Sequence, residues 1–135
     1  MRIPMMITAD YATVDQSNGK IHVLGIFRNI YADTFPFQHS RMCLALIIEE
    51  EISDSDNPHD VTVTLADEDG KEVFSLKGAF EMPESRGGIA PHCNLLLELN
   101  DLPFEKPGEY CFYIAINGDE LDDSVAIQVV HRGAI

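Results

Sequence analysis

The sequence predicts an all-β chain: an antiparallel two-sheet β-sandwich of seven or eight strands with immunoglobulin-like or similar Greek-key topology. Three observations predict it. No segment keeps apolar residues at i, i+3, i+4 and i+7 for three turns, so helical periodicity is missing. Short apolar, β-branched or aromatic runs recur every 10 to 20 residues and are punctuated by turn residues, the pattern of sandwiches and barrels. Three dipeptides that favour type I′ turns, Asn18-Gly19, Asp69-Gly70 and Asn117-Gly118, fall between such runs.

Taken in order, the strands are expected at 5–14, 20–30, 41–49, 60–67, 72–80, 92–99, 109–117 and 120–130. The first carries Asp10 inside an apolar run, where the carboxylate either points outward or is buried and bonded to a partner such as Arg28. A turn centred on Asn18-Gly19 pairs residues whose numbers sum to 37, which sets Asp10 opposite Phe27. The segment 28–41 is a connection that Pro36 keeps out of regular structure. In the middle, Val61, Val63 and Leu65 alternate with threonines, and Phe74, Leu76 and Phe80 alternate with Ser75, Lys77 and Ala79. A two-residue turn on Asp69-Gly70 makes the pairs sum to 139, so that Leu65 meets Phe74 and Val63 meets Leu76 with both apolar sets on one face. The strand at 109–117 is apolar on both sides, as a central strand would be. Its expected partner is 92–99, across a 102–108 loop where Pro103 and Pro107 block ladder bonds. Parity turns Cys93 inward and Cys111 outward, so both are expected to be free.

The chain has 135 residues and reads as one domain, 1–135, with no repeat, low-complexity tract or linker. Nine Lys and Arg stand against 23 Asp and Glu, a net charge of -14, while 45% of residues are hydrophobic, enough for a core. Such a surface lacks the cations that phosphate backbones or anionic membranes require, so nucleic acid and membrane are excluded as general partners. The N-terminal apolar stretch is broken by Pro4, Thr8 and Asp10, too short for a signal-peptide core, and no run approaches the ~20 residues of a membrane span. Three cysteines without a CxxC pair fit reduced thiols in the cytoplasm better than a disulfide scaffold.

Four stretches together resemble a family of small uncharacterised bacterial proteins, a domain of unknown function. They are ITADYA (7–12), GKIHVLGIF (19–27), FPF (35–37) and PGEYCFYIAINGDEL (107–121). The resemblance spans most of the chain and implies a compact antiparallel β-sandwich. It brings no activity, cofactor or partner with it.

Six acids lie between Glu49 and Asp60, and four more at Asp119, Glu120, Asp122 and Asp123. If each connection reverses the chain, the 15–20, 50–60, 81–91 and 117–123 segments share one end. Asp54, Asp56, Asp60, Asp119 and Asp122 are then the candidate oxygen ligands for Ca²⁺, which takes six to eight. The alternative is a solvated acidic rim without a ligand, and no EF-hand spacing favours the metal. The histidines are scattered with no HxH or HExxH spacing, and a His92–Cys93 pair points to opposite faces of a strand. No GxSxG, P-loop or GxGxxG motif is present, so no catalytic residue and no cofactor is assigned. Tyr31, Phe35 and Phe37 crowd the 28–41 connection beside arginines. They either form a protein interface or tuck under the sandwich as a lid. The function expected from the sequence is therefore a non-enzymatic protein-interaction or structural module that self-associates or binds a partner protein. Divalent-cation or small-ligand binding at the acidic end is the alternative.

Overall fold

Alternation of side chains builds each strand, and the position of each strand decides how many of its faces are apolar. In the computed structural model, which describes residues 1–50, 57–84 and 87–134, nine strands form. They are β1 (Arg2–Val14), β2 (Ile21–Ile26), β3 (Asn29–Ala32), β4 (Phe37–Glu49) and β5 (His59–Ala66), then β6 (Glu72–Phe80), β7 (His92–Phe104), β8 (Gly108–Ile116) and β9 (Asp119–His131). A 3₁₀ turn, Arg132–Ala134, follows. One sheet has the order β2-β1-β4-β7 and the other β3-β9-β8-β5-β6. All neighbours run antiparallel except β3, which lies parallel to β9.

The two sheets meet through one continuous core. Met42, Leu44, Leu46 and Ile48 of β4, with Leu99 of β7, face Val63 and Leu65 of β5, Phe112 and Ile114 of β8, and Ile127 of β9. Each such side chain contributes about 1.5–3 kcal/mol on burial. β8 is the middle strand of its sheet, which accounts for its apolar character on both faces: Tyr110, Phe112, Ile114 and Ile116 are buried and Cys111, Tyr113 and Ala115 half-buried.

Four sequence expectations are corrected. The predicted strand 20–30 is two strands, giving nine rather than seven or eight, because the chain changes sheets at Phe27–Arg28. Phe27 N still donates to Thr8 O of β1 (3.0 Å), whereas Arg28 O accepts from Gln128 N of β9 (2.8 Å). The first hairpin pairs residues summing to 35, as in Tyr11 with Leu24, not 37. Asp15 sets this register: its Oδ1 accepts from Ser17 N and Oγ, and its carbonyl accepts from Gly19 N (2.7 Å). The loop therefore has four residues, with Gly19 at φ +72°. The β5–β6 register is as expected, with Leu65 opposite Phe74 and Val63 opposite Leu76, but the turn has three residues. Gly70 N donates to Asp67 O and Asp67 N to Lys71 O, and a one-residue shift beyond Leu65 absorbs the difference. Finally, β7 and β8 are not partners; they belong to different sheets. β7 continues to Phe104, and Pro103 is tolerated there because β7 is an edge strand.

The β1–β2 hairpin does more than extend its sheet. Cys43 and Ala45 point away from the core, yet both are buried. Asn94 of β7 donates to Gly19 O at the hairpin tip (3.3 Å), although β4 stands between β1 and β7. Tyr11 and Ala12 line a small pocket with Cys43 and Leu96. The hairpin thus curls across the outer face of β4, laying half-buried Ala12, Val14, Ile21 and Val23 toward the sheet.

Candidate functional site

Curling one face of the hairpin inward turns its other face to solvent. Tyr11, Leu24 and Ile26 are 45%, 65% and 63% exposed, and register sets Tyr11 directly opposite Leu24, with Ile26 two residues farther along the same face. Large apolar side chains exposed side by side are uncommon on a monomer surface and mark contact sites. The Arg41 guanidinium lies 5.8 Å from the centroid of the Tyr11 ring and is held by Glu98 at 3.0 Å. The strand bends at Gly25, whose φ is +71°. A Cβ there would come within 2.9 Å of Asp10 Cγ, so glycine makes room for the Asp10 carboxylate. Asp10 is exposed, the outward-pointing of its two sequence readings.

The interface residues expected from the sequence separate. Phe35 and Phe37 pack against the core, beside His131 and His39 with ring centroids 6.0 and 6.2 Å apart. Tyr31 alone is exposed, at 45%, on the edge strand β3. Leu24 and Ile26 went unnoticed because alternation in IHVLGI assigns one row to a core without saying which.

Of the candidate metal ligands, Asp54 and Asp56 lie outside the described residues. The loops do gather at one end: Asn57 and Met82 exchange two hydrogen bonds, Asp60 N donates to Asn117 Oδ1, and Glu50 N donates to Pro91 O. Asp60, Asp119 and Asp122 are exposed there, but β8 stands between the strands of Asp60 and Asp119, a gap of about 10 Å. Among the described residues no group of three His, Cys, Asp or Glu is placed to hold a metal ion.

The same end buries a polar cluster. Glu50 and His59 are 3% and 0% exposed. The Asn117 amide is oriented by Asp60 N, which donates to its Oδ1 (2.9 Å), so its Nδ2 faces His59 Nδ1 at 2.9 Å. Nδ1 must therefore accept, which leaves the ring proton on Nε2. That atom lies 3.3 Å from Glu50 Oε1, out of hydrogen-bonding alignment, and neither atom has another hydrogen-bond partner among the described residues. Phe80 stacks on the imidazole with centroids 5.4 Å apart. Asn117 reaches this position because it and Gly118 form the expected two-residue turn, with φ of +51° and +84°. Glu50 and His59 are buried while Asn117 is exposed, and together they pin the β5 and β8–β9 ends to each other.

His39 is half-buried between Phe27 and Phe37. Loss of hydration pushes its pKa down, and the charge of Asp10 pulls the other way. The thiols of Cys43, Cys93 and Cys111 are free, and burial raises the pKa of each, which disfavours the nucleophilic thiolate. No helix among the described residues is long and apolar enough to cross a membrane.

Fold and site together define an all-β sandwich of two sheets that presents an apolar strand edge to solvent. Its motifs resemble those of an uncharacterised family, and sequence comparison agrees. The chain belongs to a family of unknown function (DUF6941), whose model matches residues 4–130. No curated protein gives a match. Among solved structures, the chain is similar to the Pseudomonas fluorescens alkylpurine DNA glycosylase AlkC bound to DNA containing an abasic site analog. The TM-score is 0.47 and the identity 12%, over 92% of this chain and 30% of the glycosylase. The chain thus spans under a third of that enzyme's length, and the likeness carries no argument about activity.

Proposed function

We propose that this protein is a protein-interaction module, not an enzyme, and that its contact surface is the outward face of the β1–β2 hairpin. The observation that carries the reading is the cluster of Tyr11, Leu24 and Ile26 exposed on adjacent strands. The Glu50–His59–Asn117 cluster is a structural pin in this reading. The net charge of -14 directs the module toward proteins and away from nucleic acid and anionic membranes. Three free thiols suit a reducing compartment such as the cytoplasm.

Site-specific photo-crosslinking in the native cell tests it. A benzophenone side chain replaces Leu24 in one variant and Leu76, an exposed residue of β6, in the other. Position 24 should give a discrete adduct that position 76 does not. An adduct of twice the protein's mass indicates self-association, and any other discrete mass a partner protein; both support the reading. Equal labelling at the two positions, or none at 24, overturns it.

A further inference from the structure

His22, Leu24 and Ile26 of β2 are exposed, and so are Lys20, which ends the hairpin loop, and Arg28, at the bend where the chain leaves for the other sheet. Nine cations stand against 23 acids in this chain, yet two of them bracket this apolar pair. Neither Lys20 nor Arg28 forms an ion pair among the described residues, whereas His22 lies 3.8 Å from Asp15 and Arg41 3.0 Å from Glu98. β2 is also the terminal strand of its sheet, paired on one side only.

The other edges carry features that discourage strand addition. β7 presents Pro103, Glu98 and Asp101; β6 presents Glu72 and Lys77; β3 has only four residues and runs parallel to its neighbour. β2 itself, Ile21–Ile26, has no proline, acid, lysine or arginine; it is interrupted by the bend at Gly25.

We infer that the free edge of β2 receives an extended segment of a partner protein in which alternate apolar residues are bracketed by acidic ones. This rests on the interaction reading above and names its partner. Backbone groups of the incoming strand pair with the open side of Ile21–Leu24. Its apolar row lies beside Leu24 and Ile26, and its terminal acids meet Lys20 and Arg28. Gly25 and the bend at Arg28 keep those cations closer than the roughly 27 Å of a fully extended chain, so acids up to about eight positions apart reach both. A second copy of this chain fits less well, because two like-charged rows would face each other across an edge-to-edge pair.

The test uses the full-length protein labelled with ¹⁵N and two synthetic nonapeptides of alternating valine and threonine. One has glutamate at both ends and the other lysine. The glutamate peptide should shift the amide resonances of 20–28, bind at least about threefold more weakly at 200 than at 50 mM salt, and lose binding in Leu24→Asp. The double variant Lys20→Glu/Arg28→Glu should instead prefer the lysine peptide, a reversal that a folding defect does not produce. Equal binding of both peptides, no binding, or shifts elsewhere on the surface overturns the inference. So does dimerisation through β2 of the protein alone. A positive crosslink at position 24 combined with a failed peptide titration retains the interaction reading and removes only this partner.

Discussion

Replacing His59 with alanine removes the centre of the Glu50–His59–Asn117 cluster, and the structure sets the size of the effect. The imidazole is fully buried and stacked on Phe80, so its deletion leaves a cavity of the kind that costs about 3–5 kcal/mol for an aromatic ring. It also strips Asn117 Nδ2 of its acceptor and leaves Glu50 Oε1, on a residue 3% exposed, without its nearest polar neighbour among the described residues. These losses overlap, and the expected total is about 3–5 kcal/mol. At about 4 °C per kcal/mol for a domain of this size, the melting temperature should fall by roughly 12–20 °C. Glu50→Gln alone should stay within about 1 kcal/mol of the parent, because Oε1 makes no hydrogen bond in the native protein and the amide keeps the shape of the carboxyl. His59→Ala/Glu50→Gln should then be milder than His59→Ala by about 1–3 kcal/mol. Urea unfolding followed by circular dichroism reads all three, since the chain has no tryptophan, provided the slope with denaturant stays constant. A loss below about 1 kcal/mol for His59→Ala, or a double variant no milder than the single, refutes the account of the cluster as a pin.

Three further outcomes are expected. Gly25→Ala should cost about 1–3 kcal/mol, since its φ of +71° and the adjoining Asp10 carboxylate both exclude a side chain; stability equal to the parent in urea would contradict this. Because the hairpin covers Cys43, whose thiol pKa is raised by burial, alkylation at pH 7.5 should be slow in the native protein and faster in Gly25→Ala, and an unchanged rate would show that the hairpin does not shield it. The depressed pKa of His39 means that the unfolded chain takes up the proton first. The stability it confers is therefore complete above pH 6.5 and lost as pH falls from there to the lowered folded value. His39→Phe should flatten that segment of the stability-pH profile, and an unaltered slope argues against the assignment.

Much of the molecule is local enough to be legible in the chain. Alternation over 61–65 and 74–80 establishes which side chains face together, and Leu65 does meet Phe74. Asn117-Gly118 makes its turn because two consecutive residues at positive φ are what asparagine and glycine tolerate. Even the -14 charge needs no coordinates. The hairpin register was missed because the Asp15 side chain, not the Asn-Gly pair, closes the loop. The strand at 92–99 was given the wrong partner because adjacency in sequence says nothing about which sheet a strand joins.

What the sequence by itself determined was the class of fold, the faces of the strands and the acidity of the surface, all properties of neighbouring residues. Only the tertiary structure decided that Phe35 and Phe37 are half-buried against the core, that Leu24 and Ile26 are exposed, and that Asn117 reaches buried His59 beside buried Glu50. The physical reason is the same in each case. A period of two tells which residues share a face, but whether that face meets a second sheet or water depends on segments far away in the chain.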